Sequence, residues 1–395
     1  MKNTNLLWLG LLLGLSSTAP AQQALRVDTI QSRKLGARPI YVTTPEGYEI
    51  GNDRYPILVL LDANDRRLYE LWVAQAAYLE GSIPGFPRMI AVGIPNGADR
   101  LHDMTPPATG SSIKDFSTAG GASAFADFII DEVLPRIRTR YRTLPSVILV
   151  GHSAGGLFGV DVAARRPGVF NGIVATSPAI WFNDGTLPDI YADMIGRAQM
   201  RSRLWFSSGD EGDLAAACRK LAELLSANPA LKDVFAYRYY ADATHRLNPM
   251  SASDGLRFIF EPLSIERLPV SKLDFTKIDS VSLNAALGSS ESGYRTAARS
   301  LGLPEQLPER IINRLGYTLI NNKQPRLAIT VFKQNVRSYP ESVNVYDSLA
   351  DGFLAAGDSA AALVQLREAV KVAKRTGASV EDETLQKLKA LEAKK

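Results

Sequence analysis

A single cysteine, Cys218, excludes an intramolecular disulfide, so no covalent staple holds this chain together. Its place within an amphipathic stretch, Leu214–Leu225, marks it as a small buried hydrophobe. Histidine is nearly as scarce. His102, His152 and His245 are far apart and none belongs to an H-E-x-x-H pair, so no metal site and no cofactor are expected. Charge of one sign is also lacking: 45 Lys and Arg face 41 Asp and Glu, scattered without a basic stripe, which argues against a nucleic-acid partner. Beyond the N-terminus no apolar run approaches the ~20 residues of a membrane span.

The first residues read as an export signal. Lys2 supplies a positive start, Leu6 to Leu15 a short apolar run, and Ala19-Pro20-Ala21 an A-x-A cleavage site. The mature chain is therefore expected to begin at Gln22, without a membrane span, in the periplasm or outside the cell. A chain of 395 residues with 46% apolar and 22% charged content is expected to be globular and to form two domains.

From about Arg26 to Phe260 short apolar runs alternate with helical patterns. Candidate strands are Ile40–Val42, Ile57–Leu61, Met89–Ile94, Val147–Val150, Ile173–Ala175, Leu204–Ser207 and Phe235–Tyr240. Candidate helices are Ser123–Tyr141, Gly156–Arg165, Leu214–Ala227 and Ser253–Phe260. Continuous apolar strands separated by helices predict an α/β fold, a doubly wound, mostly parallel sheet covered on both faces. Residues 265–304 are poorly periodic, with Ser and Gly around Gly288–Gly293, and read as a connector.

After the connector the pattern is wholly helical and repeats at a spacing of 34: Leu315-Gly316 returns as Leu349-Ala350, Leu319 as Phe353, Ala328 as Ala362, and Phe332 as Leu366. Pro340 closes the first repeat, and Lys374 stands at that position in the second. This is similar to the tetratricopeptide pattern, in which small residues sit where two helices touch. Two such repeats are too few for a stable stack, so they are expected to lean on the preceding domain, with a polar capping helix from Glu381 to Lys395. The expected organisation is a signal segment (1–21), an α/β domain (22–264), a connector (265–304) and an all-α domain of helical repeats (305–395).

The chemistry centres on Gly151-His152-Ser153-Ala154-Gly155, a G-x-S-x-G sequence between the apolar run Val147–Val150 and a predicted helix. A turn this sharp holds a serine hydroxyl out at the top of a sheet, as a nucleophile elbow. Serine needs a base, and with this elbow the chain order is serine, acid, histidine. Only His245 lies downstream, in a loop after Phe235–Tyr240, which makes it the candidate base. The acid should follow Leu204–Ser207, where Asp210, Glu211 and Asp213 compete. Glu211 is favoured, then Asp210, while Asp213 reads as the N-cap of the helix beginning at Leu214. For the oxyanion, the N–H of Ala154 and one from Ala63 or Asn64 are the expected donors. His152 reads as a packed elbow residue; His102, Trp181 and Phe182 are candidates for the substrate pocket.

With these residues in place, the chain resembles the esterase D-like branch of the α/β-hydrolases, the putative-esterase group of siderophore and feruloyl esterases. The resemblance runs from about Thr29 to Leu263. It rests on Ser32-Arg33-Lys34-Leu35-Gly36 with Tyr41-Val42 and Pro45-Glu46-Gly47-Tyr48, on Tyr55 to Asp62, and on Ala91-Val92-Gly93-Ile94 through Arg100 to Asp103-Met104-Thr105-Pro106. Phe128 to Pro135 and Ser177-Pro178-Ala179-Ile180-Trp181 complete it. It implies Ser153 as nucleophile and His245 as base, and a small-molecule or glycan-linked ester as substrate. Ala63 departs from the glycine usual after the aspartate. The leading expectation is an exported serine esterase. The alternatives are an acyltransferase using the same residues and, in a different class, a scaffold that holds a protein partner through its helical repeats while the hydrolase domain is vestigial.

Overall fold

The apolar runs become the interior of one eight-stranded sheet in the computed structural model, which describes residues 25–49, 51–197 and 202–393. The export signal at 1–21 lies outside the described residues. The strands are β1 (Leu25–Ser32), β2 (Gly36–Thr43), β3 (Tyr55–Leu61), β4 (Ile90–Ile94), β5 (Thr143–His152), β6 (Gly172–Thr176), β7 (Arg203–Ser208) and β8 (Phe235–Tyr239). Their order is β1-β2-β4-β3-β5-β6-β7-β8. All pairs from β4 to β8 are parallel, and the β1–β2 hairpin joins antiparallel at β4.

Parallel neighbours require crossovers, and the crossover helices bury both faces. Every residue of β3, β4 and β6 is buried. Along β3, Ile57, Val59 and Leu61 point into one core and Leu58 and Leu60 into the other, as the two-residue strand period dictates. The first core is closed by a helical run (Ala122–Asp127, Phe128–Val133, Leu134–Arg140) and by helices Ala154–Arg165, Leu187–Arg197 and Asp213–Ser226. The second is closed by α1 (Arg66–Ser82) and Ala252–Phe260. The sequence patterns located β2 to β8 but not β1, whose largely exposed edge position leaves no continuous apolar run.

The stretch expected as a connector contains a helix of 21 residues, Ser280–Ser300. Its buried stripe is Leu283, Leu287, Ser290, Tyr294 and Ala298, a helical spacing. The buried Ser290, whose Oγ accepts from Val270 N–H at 3.0 Å, and the outward Gly288 and Gly293 disguise that periodicity. Two helical hairpins follow, Glu309–Asn321 with Pro325–Ser338 and Val343–Ala355 with Ser359–Thr376, each helix starting 34 residues after its counterpart. Ala328, Ala350 and Ala362 are fully buried where helices meet. Asp382–Glu392 ends the stack, with Lys387 donating to Asp347 and Asp351 at 2.9 and 2.8 Å.

The helical extension shares the second core, which runs continuously from Leu58 and Trp72 through Leu287 to Ile311 and Phe332. Ile311 packs over Gly85, and Arg310 donates to the carbonyls of Glu80 and Phe86. Near β5, Gly302 faces the backbone of Ser146 and Asn171 donates to Ser300 O, at the strand's start rather than its serine end. Thermal unfolding is therefore expected as one calorimetric transition, and Ile311→Ala is expected to cost about 2–4 kcal/mol. Two separate transitions would contradict a shared core.

Candidate active site

The C-terminal ends of β3, β5, β6, β7 and β8 stand side by side, so the residues just beyond them meet along one edge of the sheet. Three of these residues, Asp62, Ser153 and Ser177, adopt positive φ (57°, 59° and 45°), a conformation that non-glycine residues rarely hold. At Ser153 this is the elbow itself: β5 ends at His152 and the helix begins at Ala154. The turn is pinned by Ser153 N–H to Thr176 O at 3.0 Å and Ala179 N–H to Ser153 O at 3.1 Å. A Cβ at Gly151 would sit 2.3 Å from the Gly155 carbonyl oxygen, so only glycine lets strand and helix approach this closely.

Beyond β7 and β8 the expected acid and base meet. His245 Nδ1 lies 2.5 Å from Glu211 Oε2. Glu211 Oε1 accepts from Ser177 Oγ at 2.6 Å and from the Gly209 N–H at 2.7 Å. Asn248 Nδ2 donates to Ser177 Oγ at 2.6 Å. Burial pushes the Glu211 carboxyl up, but the hydrogen bonds from His245, Ser177 and Gly209 outweigh it and hold it below its ordinary value. At neutral pH Glu211 is thus an anionic acceptor. Facing that acceptor, His245 Nδ1 is the nitrogen that donates, which leaves Nε2 as the one that can take a proton. Among the described residues, Ser153 Oγ makes no hydrogen bond; such contacts commonly tighten only when substrate is bound.

The other two carboxylates do different things. Asp210 is exposed and, among the described residues, its carboxylate receives only Tyr239 Oη at 3.4 Å and makes no hydrogen bond with His245. Asp213 is the first residue of its helix and makes no capping hydrogen bond; Gly212, at φ 57°, occupies the N-cap. The expectation of Asp213 as cap is thereby corrected, because the tight turn after Glu211 needs glycine at that position. Asp213 still places negative charge in the first turn, where the helix dipole favours it.

Of the oxyanion candidates, Ala63 donates its N–H to Ile94 O at 3.2 Å, so the turn spends that donor on β4. Among the described residues, Asn64 N–H and Ala154 N–H have no such partner. Asp62 braces this turn: Arg100 grips it through Nε and Nη2 at 2.5 and 2.8 Å and also donates to His152 O at 3.1 Å. A cleft of about 490 Å3 opens beside the pair, lined by Trp181, Asp210, Glu211, Asp213, Leu214 and His245. Trp181 is 39% exposed, as a pocket wall requires. Phe182 is buried at 3% and packs on Phe116 with ring centroids 5.2 Å apart, so it belongs to the core. His102 fastens a neighbouring loop, Nδ1 at 2.6 Å from Thr118 O, and lies outside the cleft lining. The sequence reading missed Ser177, Asn248 and Arg100 as parts of this site; only Ser177 and Arg100 fell within family-like segments.

A strained serine after β5, a Glu–His pair beyond β7 and β8, and this strand order define the class: an α/β-hydrolase-like fold with a serine at its strand-to-helix elbow. The chain belongs to the putative esterase family, whose sequence profile matches residues 33–252. It is 30% identical over 146 residues to the siderophore triacetylfusarinine C esterase of Aspergillus fumigatus, a match covering 35% of this chain and 49% of that one. It thus spans about half the length of the curated relatives it matches. An IroE-like serine hydrolase from Shewanella oneidensis superposes with a TM-score of 0.59 at 22% identity, covering 76% of this chain and 95% of the other. An uncharacterised protein from Capnocytophaga ochracea superposes with a TM-score of 0.61 at 18% identity, covering 94% and 100%. These two likenesses concern the fold, and the second extends to the helical region.

Proposed function

We propose that this chain is an exported serine esterase working through an acyl-enzyme. Ser153 attacks the ester carbonyl, His245 Nε2 takes its proton and returns it to the leaving alcohol, and Glu211 fixes the His245 tautomer and stabilises the imidazolium. The N–H groups of Ala154 and Asn64 receive the oxyanion. Water then repeats the attack and frees the acid. The observation that carries this reading is the 2.5 Å contact between His245 Nδ1 and Glu211 Oε2 at the sheet edge that presents Ser153. The similarity to a siderophore esterase makes a siderophore ester the first substrate to try. The test is turnover by the purified mature chain of p-nitrophenyl butyrate, a siderophore trilactone and a feruloyl ester, with free acid as product. Turnover of none would overturn the proposal, and transfer to an added alcohol in place of acid would replace hydrolysis by acyl transfer.

The helical repeats (305–395), which lean on the sheet through the shared second core, are assigned to the tetratricopeptide type, supported by the 34-residue offset of the two hairpins and by the buried alanines between their helices.

The cleft also predicts a charge preference. Asp210, Glu211 and Asp213 line it, and among the described residues no lysine or arginine does. Among esters matched in size, a neutral one is expected to have a severalfold higher kcat/KM than an anionic one, and salt should narrow the gap. Replacing both Asp210 and Asp213 by Asn should narrow it as well. Equal kcat/KM for the two esters at low salt would refute this.

A further inference from the structure

His152 precedes the nucleophile in sequence, yet its side chain turns toward the base. Its Nε2 lies 2.9 Å from the carbonyl oxygen of His245, and the two imidazole centroids are 4.5 Å apart. A carbonyl only accepts, so Nε2 of His152 carries the proton and donates. Burial, reinforced by the neighbouring His245, pushes His152 down to about 4, so the ring is neutral at physiological pH.

The loop carrying His245 has few other anchors. Ala241, Asp242, Thr244, Arg246 and Leu247 are all exposed. The backbone hydrogen bonds of Ala243 N–H to Tyr240 O and of Leu247 N–H to Thr244 O are local to the loop. Among the described residues, hydrogen bonds from distant parts of the chain to residues 241–247 come from two directions, while the next residue, Asn248, donates to Ser177 Oγ and Ser207 Oγ. The loop after β7 supplies Asp210 N–H to Ala243 O at 2.9 Å and Glu211 to the His245 ring. The elbow supplies His152. The elbow end of this link is held in turn, since Arg100 grips both Asp62 and His152 O.

We propose that His152 is a positioning residue: its Nε2–H clamps the His245 backbone to the nucleophile elbow, so that the base and Ser153 keep their register while the proton moves. Glu211 sets the ring from one side, and His152 sets the backbone from the other. The inference rests on the assignment of Ser153 and His245 as nucleophile and base.

Two variants separate the hydrogen bond from packing. His152→Phe keeps a ring against His245 and loses the donor; His152→Gln keeps a donor. His152→Phe is expected to lower kcat and the rate of Ser153 labelling by a fluorophosphonate about tenfold, the worth of one hydrogen bond, with KM and melting temperature nearly unchanged. His152→Gln is expected to stay within about threefold of the parent chain on the same scale. A parental kcat in His152→Phe, or an equal loss in both variants, would overturn the proposal. Amide hydrogen exchange reads the clamp without catalysis: residues 241–247 should exchange faster in His152→Phe than in the parent. Unchanged exchange overturns the clamp even if the chain is an active esterase, whereas faster exchange in a chain that never labels at Ser153 would show that the esterase assignment is the part at fault.

Discussion

Ser153→Ala is expected to lower kcat for p-nitrophenyl butyrate by a factor on the order of 10⁴–10⁶, because no other group can form the acyl-enzyme. The loss should come without a loss of fold. Ser153 Oγ makes no hydrogen bond among the described residues, and the turn is held by backbone contacts to Thr176 and Ala179 that alanine retains. Alanine inherits the φ of 59° and brings no bulk that serine lacked. The melting temperature of the variant should therefore lie within about 2 °C of the parent, a stability change well under 1 kcal/mol. Residual turnover above a few per cent would place the nucleophile elsewhere.

The second large effect separates the carboxylates after β7. Glu211→Gln is expected to reduce kcat by about 10³–10⁴ with little change in KM, the size of loss seen when a triad acid becomes an amide and the histidine takes the wrong tautomer. Three hydrogen bonds converge on Glu211, from His245, Ser177 and the Gly209 N–H. A glutamine there can turn its NH2 toward His245 Nδ1, which must then accept and leaves the proton on Nε2. Asp210→Asn should change kcat for a neutral ester by less than about threefold, since its carboxylate faces solvent and meets only Tyr239. The two variants are best compared on one neutral ester at pH 7 to 8. Similar losses in both would mean that the acid role is shared.

These two predictions differ in how much of their basis is legible in the sequence. The elbow is local: five residues, an apolar strand before and a helix after. The choice of His245 follows from chain order, because no other histidine lies downstream. The acid is not legible in the same way. Asp210, Glu211 and Asp213 lie within one turn of chain, and the choice depends on which side chain folds back over Gly209. A Cβ at Gly209 would sit 2.0 Å from the Ala243 carbonyl oxygen, so the β7 and β8 loops touch there, a contact without any local signal. His152 is similar: its partner is 93 residues away. Trp181 and Phe182 show a finer limit, since both adjacent rings pack on Phe116 and only their exposure, 39% against 3%, tells wall from core. In the fold the strand runs were readable, whereas the helix Ser280–Ser300 was hidden by serines and glycines on a pattern whose spacing is fully helical.

The most direct test of the account is to trap the covalent intermediate. The mature chain is treated with a fluorophosphonate, digested, and its peptides are mapped by mass spectrometry. A single stoichiometric adduct is expected on Ser153, formed at a rate that falls sharply in His245→Ala and in Glu211→Gln. An unlabelled chain, or an adduct on any other residue, would contradict it.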